Sequence, residues 1–294
     1  MVAVKSVRHF SSKSCVSWEL RSTNLRNFDS GRIRDRNGAL NLPQAMFLFA
    51  AGVVGGALNA VAGGGSFVAF PALLFTGVQP VPANATNTIA LWVGVTASGG
   101  AYRKHLHISR RVLIPLIAVS IAGGLAGAWL LIRTPAQTFL RVLPWLMLGA
   151  TLLFAFGKRL TGRISAGISH ESSDAAVAGA CVFELFVAIY GGYFGGGMGI
   201  MNLAMLSAIG MTDIHAMNAL KVVLGAFING VATLTFVVSK TIVWPQALVM
   251  TAGALAGGYL AAHYAQKVPQ AWIRGFVIVT GVGMTVYFFV RAYG

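Results

Sequence analysis

Lys221 stands well inside an apolar segment, and a charge at membrane depth costs at least ~2.5 kcal/mol on insertion scales. Such a residue needs either a function or a route by which its long stem carries the ammonium to the interface. Asn218 lies three residues earlier, on the same helical face. Asn229 follows Asn218 by about three turns, close to the same stripe. Asn84 and Asn87 repeat the i, i+3 spacing without a charge. Amide donors beside a single cation suit an anion that has shed its water, and one cation rather than a cluster lets that anion leave again.

Two glycine triplets stand near these side chains in sequence. Gly63, Gly64 and Gly65 follow Asn59 and precede Ser66, while Gly195, Gly196 and Gly197 interrupt a second apolar run. Glycine breaks a helix at low steric cost and lets a ligand approach the backbone. In lipid such a break is tolerated only where protein or a water-filled cavity covers it. The apolar piece after each triplet spans roughly 16–17 Å as a helix, about half of a hydrocarbon core near 30 Å. Interrupted segments at matching places in two repeats point to a transporter's binding site. The alternative is that the glycines serve only close helix packing. Candidate binding residues are therefore Asn59, Gly63, Gly64, Gly65, Ser66, Asn84, Asn87, Gly195, Gly196, Gly197, Asn218, Lys221 and Asn229.

The two stretches look like copies. Gly63 and Gly195 are 132 residues apart, Asn84 and Asn218 are 134 apart, and the difference falls in the turn between them. Downstream, Gly123–Gly127 aligns with Gly253–Gly257. An internal duplication is expected, with a membrane repeat over 45–157, a cytoplasmic linker over 158–174 and a second repeat over 175–294.

The run Tyr190–Gly199 (YGGYFGGGMG), the pentapeptide Met217–Lys221 (MNALK) and Thr86-Asn87 in the first half resemble the sulfite exporter TauE/SafE family of anion permeases, over Met46 to about Val290. The resemblance implies a multi-pass permease for sulfur-containing or carboxylated organic anions. Glu184 departs from it, since an apolar or small residue is expected there.

Composition agrees with a membrane class. Hydrophobic residues make up 56% of the chain and charged residues 10%, against roughly 25% charged in soluble domains. The net charge of +15 could suggest nucleic acid. The basic residues instead gather in the first 44 residues and in short loops, as the positive-inside rule produces. No zinc-finger spacing or basic heptad helix is present, so nucleic acid is not an expected partner. Residues 1–44 read as a disordered cytoplasmic tail or an upstream start, with no apolar core for a signal peptide.

The expected fold is all-α and polytopic, with about eight apolar segments: 45–62, 85–101, 112–132, 138–156, 175–194, 216–238, 242–262 and 271–290. Loop charge places 102–111 and 157–163 on the cytoplasmic side of the plasma membrane. Four crossings per half would make the repeats parallel, and re-entrant hairpins at the triplets would make them inverted. The reading leans to four crossings. Gly52/Gly56, Gly123/Gly127 and Gly253/Gly257 are GxxxG pairs suited to close helix packing, and the same faces could serve a homo-oligomer.

Glu184 falls in the middle of an apolar segment. It is expected to be paired with Lys221, to relay protons as a coupling residue, or to face a lumen. His105 and His107 have no carboxylate or cysteine to complete a metal set, and Asp213 and His215 sit in a turn before Asn218. Cys15 and Cys181 form no motif. No metal or cofactor is expected. An intramembrane enzyme would need a nucleophile and base at membrane depth, which is not evident, and a channel would not need duplicated breaks. No P-loop appears. The expectation is secondary transport of a small anion, driven by protons or membrane potential.

Overall fold

The structure is a computed structural model that describes residues 40–99, 109–164, 174–208, 210–211, 213–264 and 270–294. Most of the tail, the His105/His107 loop and the stretch 165–173 of the expected linker lie outside the described residues.

The described residues form ten helices: α1 Leu42–Ala62, α2 Ser66–Phe75, α3 Pro80–Gly99, α4 Arg110–Arg133, α5 Ala136–Ile164, α6 Asp174–Tyr193, α7 Met198–Ala208, α8 Ile214–Val238, α9 Trp244–Tyr264 and α10 Gln270–Tyr293. Local chemistry sets several ends. Pro43 opens α1, where a missing N–H is no loss. The Ser109 side chain caps α4 by accepting from the Arg111 amide. Six helices (α1, α4, α5, α6, α8 and α10) are long and apolar enough to cross a bilayer. The expected eight segments are thus six by composition. α3 and α9 have comparable length but less hydropathy, because α3 carries Asn84, Thr86, Asn87 and Thr88 and α9 is rich in glycine and alanine. α5 runs on to Ile164, so the first part of the expected linker is helical. Large apolar side chains such as Trp145, Phe186, Val238 and Trp272 are exposed, as suits a surface facing lipid.

The glycine pairs fix the main contacts. Gly253 and Gly257 on α9 lie against the backbone at Phe49 and Val53 on α1, while Gly52 and Gly56 meet Met250 and Ala254. Gly123 and Gly127 on α4 lie against Ala188 and Ile189 on α6, and Gly192 meets Gly124. In these seams a side chain would collide with main chain. The GxxxG faces are therefore occupied within the chain, and a homo-oligomer through them would have to displace these contacts.

Register within the seams gives helix direction. Phe49 sits at Gly253 and Val53 at Gly257, so α1 and α9 run the same way; by the same reading so do α4 and α6. α2 folds back along α1, placing Gly65 at Asn59 and Ala69 at Gly55. α2 runs with α10, through Gly64 at Val277 and Phe70 at Phe288. α10 runs against α5, through Arg274 at Ala155 and Tyr293 at Arg141. Only Thr134 and Pro135 separate α4 from α5, so those two reverse direction. It follows that α1 and α6 run oppositely, as do α4 and α9. This corrects the lean to parallel halves. The physical reason is the fold-back after each triplet; the cation-poor loop at Lys240 favours the same inversion, and the basic first 44 residues favour the parallel arrangement.

The packing pairs have a further regularity. α1–α9 corresponds to α6–α4, α3–α9 to α8–α4, and α2–α10 to α7–α5, whereas α3–α8 and α5–α10 correspond to themselves.

Candidate functional site

Each triplet reverses the chain. Gly63 ends α1 in the left-handed region (φ 76°), its N–H donating to the carbonyls of Leu58 and Asn59. Gly195 and Gly197 adopt the same region (φ 79° and 81°) after α6, a conformation that costs other residues roughly 1–2 kcal/mol. The Tyr190 hydroxyl donates to the Gly196 carbonyl and holds the second break. α3 reaches both breaks. Asn84 Nδ2 donates to the Tyr193 carbonyl at 2.9 Å, and Asn87 Nδ2 donates to Ser66 Oγ at 3.1 Å.

The breaks meet. A cavity of about 50 Å³ lies between them, room for a few waters at ~10–15 Å³ each. Asn59, Gly63, Ser66, Asn87, Gly195, Lys221 and Asn229 line it. The 132- and 134-residue offsets pair its walls: Gly63 with Gly195, Ser66 with Met198, Asn87 with Lys221, Thr88 with Val222, Leu91 with Gly225 and Val95 with Asn229. Phe194 closes part of the wall and packs edge-to-face on Phe70, which also contacts Phe139 and Phe288.

Sequence reasoning missed Thr88, Leu91, Val95, Met198, Gly199, Val222 and Gly225, because each looks like an ordinary residue of an apolar helix. Carrying the offset one and two turns past Asn87 and Lys221 would have found most of them.

The remaining candidates do not line the cavity. Gly64 faces Phe154 and Val277, Gly65 lies against the Gly55 carbonyl, Gly196 faces the Phe194 ring, and Gly197 faces Ala150. These four glycines face neighbouring side chains and main chain. Asn84 is fully buried at the end of α6, and Asn218 supports Lys221 by accepting from its Nζ at 3.0 Å.

The polar character of the cavity is uneven. Lys221 is 9% exposed and its stem runs beside Gly199. Its counterpart Asn87 is neutral, and the Asn87 and Asn84 Oδ1 atoms have no hydrogen-bond partner. α2 and α7 begin at Ser66 and Met198, both on the cavity wall, and α2 has no side-chain cap. A helix's first N–H groups lack intrahelical partners and carry a positive partial charge. Here the amides of Phe67, Val68, Ala69, Met198 and Ile200 already donate to carbonyls of the triplets, so the two helix starts offer an anion chiefly their positive dipole ends, beside one ammonium.

Glu184 is elsewhere. It accepts a hydrogen bond from Ser120 Oγ at 2.7 Å in the α4–α6 seam, and does not line the cavity. The expected pairing with Lys221 is not made, because the α4–α6 seam gives Glu184 its own partner and Asn218 serves Lys221. Among the described residues no group of three His, Cys, Asp or Glu side chains is placed to hold a metal.

A family model described as sulfite exporter TauE/SafE matches residues 48–288. A probable membrane transporter protein of Haemophilus influenzae is 27% identical over 81% of this chain and 91% of its own length. The probable membrane transporter protein YfcA of Escherichia coli is 26% identical over 81% and 87%, and the probable membrane transporter protein ORF9 of Sinorhizobium is 23% identical over 82% and 90%. No solved structure matches the chain.

Proposed function

Since the chain belongs to the sulfite exporter TauE/SafE family of multi-pass membrane proteins, we propose that it is a secondary transporter for a small sulfur-containing or organic anion, of the sulfite, sulfonate or carboxylate class. The observation that carries this reading is Lys221, a lysine in a small cavity formed where two interrupted helices begin. Its ammonium and the first turns of α2 and α7 supply positive charge, while Ser66, Thr88 and Asn229 supply uncharged polar groups. The halves are read as inverted repeats, supported by the matched cavity walls and the exchanged packing pairs. Alternating access then amounts to rocking around a fixed site. The driving force is the proton gradient or the membrane potential.

The test is flux and binding of radiolabelled sulfite, taurine and a small carboxylate in proteoliposomes. Lys221→Met keeps length and apolar stem, and should lower affinity for the transported anion at least tenfold, about 1.4 kcal/mol. Lys221→Arg should retain partial activity with altered selectivity, because a guanidinium is broader and forked. Wild-type affinity in Lys221→Met would remove the anion site.

A further inference from the structure

Matched by their glycine contacts the two seams share one register, and against it one side chain of the α4–α6 seam stands out. Gly52 on α1 lies against the Met250 carbonyl on α9. The contacts Phe49–Gly253, Val53–Gly257 and Gly56–Ala254 recur as Leu185–Gly123, Ile189–Gly127 and Gly192–Gly124, so Met250 corresponds to Ser120, Gly52 to Ala188 and Leu48 to Glu184. At the place where α1 has the buried apolar Leu48, α6 therefore carries a carboxyl bonded to a hydroxyl. Glu184 is fully buried, and its Oε2 has no hydrogen-bond partner.

Among the described residues of the helices packed on α6, no cation stands beside Glu184. Of the helices packed on α6, α4 has Arg110 and Arg111 nine or ten residues before Ser120 and Arg133 thirteen after it, roughly 14–20 Å along the helix. α7 has no titratable side chain, and α8 carries His215 in its first turn and Lys221, which bonds Asn218. On α6 itself, Asp174 lies at the start, Cys181 one turn before Glu184, and Tyr190 donates to Gly196. An unpaired carboxylate in such a seam is costly, and gaining a proton removes the charge. The seam continues from Glu184 through Gly123–Ala188 and Gly127–Ile189 to Phe194 and Gly195 on the cavity wall.

We infer that Glu184, held by Ser120 in the α4–α6 seam, is a proton-binding site separate from the substrate cavity and is the residue through which protons drive transport. This rests on the secondary-transport reading above. The carboxylate takes one proton from water on one side of the membrane, becoming the neutral acid, and gives it up on the other; only the O–H bond is made and broken. Charging the seam changes the packing of α6 on α4, and α6 ends at the second glycine break.

Two measurements separate this inference from the reading it rests on. In proteoliposomes, Glu184→Gln should abolish accumulation of radiolabelled sulfite under a pH gradient while leaving sulfite counterflow exchange at the wild-type rate, since exchange needs no net proton movement. Undiminished pH-driven accumulation in that variant would overturn the inference. Infrared difference spectra of the purified protein, taken across a pH series without substrate, should show a buried carboxylic C=O band that titrates. That band should vanish in Glu184→Gln, and its midpoint should move in Ser120→Ala. A wild-type protein without such a band would overturn the inference whether or not any anion is carried.

Discussion

Gly199 has an ordinary helical backbone, yet a methyl group there would meet the Lys221 stem and the Gly63 backbone together. Gly199→Ala should therefore fold normally but narrow the cavity and push the ammonium aside. The expected outcome is unchanged melting temperature with a clear loss of anion affinity, measured by binding to purified protein. Gly64→Leu and Gly196→Leu test something different, since their side chains would press on Phe154, Val277 and Phe194. Overpacking of that kind costs typically 1–3 kcal/mol, so both should lower the melting temperature, in addition to any effect on transport. The residue types of the site were legible because a lysine, several asparagines and glycine triplets are conspicuous in an apolar chain. Their exact roles were not, since whether a glycine faces a ligand or a phenylalanine depends on helices far away in sequence. Val95 and Val222 carry no signal of their own and become visible only through their counterparts.

At the level of elements, the glycine seams can be weighed against glycines that touch nothing. A Cβ on Gly257 would fall on the Val53 carbonyl, whereas one on Gly149, Gly179 or Gly275 would meet no atom within 4 Å. Gly257→Ala should destabilise by about 1–3 kcal/mol. Gly149→Ala or Gly179→Ala should be neutral or stabilising by up to ~1 kcal/mol, from the lower entropy of the unfolded chain. Thermal unfolding in one detergent compares them directly. Equal effects would show that the α1–α9 contact is loose. Length and apolar character located the long helices, and the GxxxG spacing marked which faces pack closely. Sequence did not reveal that the partners are α1 with α9 and α4 with α6, because partner choice is set by the whole arrangement.

For the whole molecule, opposite directions of corresponding helices make a plain topological demand. Ser109 precedes α4 and Thr241 precedes α9. In a background lacking Cys15 and Cys181, a membrane-impermeant maleimide should label Ser109→Cys from one side and Thr241→Cys from the other. Labelling of both from the same side would refute the inverted arrangement. Loop charge gave weak guidance here. The loop around Lys240 is much poorer in cations than its counterpart 102–111, which favours inversion, whereas the basic first 44 residues favour the parallel arrangement.

The α1–α9 seam also has a consequence for synthesis. Phe49 leaves the ribosome about 200 residues before Gly253, and at ~5–20 residues per second that interval is roughly 10–40 s. During this time the small-residue face of α1 lies in lipid with no partner, while α4 and α6 meet much sooner. The last elements made thus close the structure around the first. A chain cut between α5 and α6 would yield two fragments, each holding one strand of both seams, so neither could mature without finding the other in the bilayer.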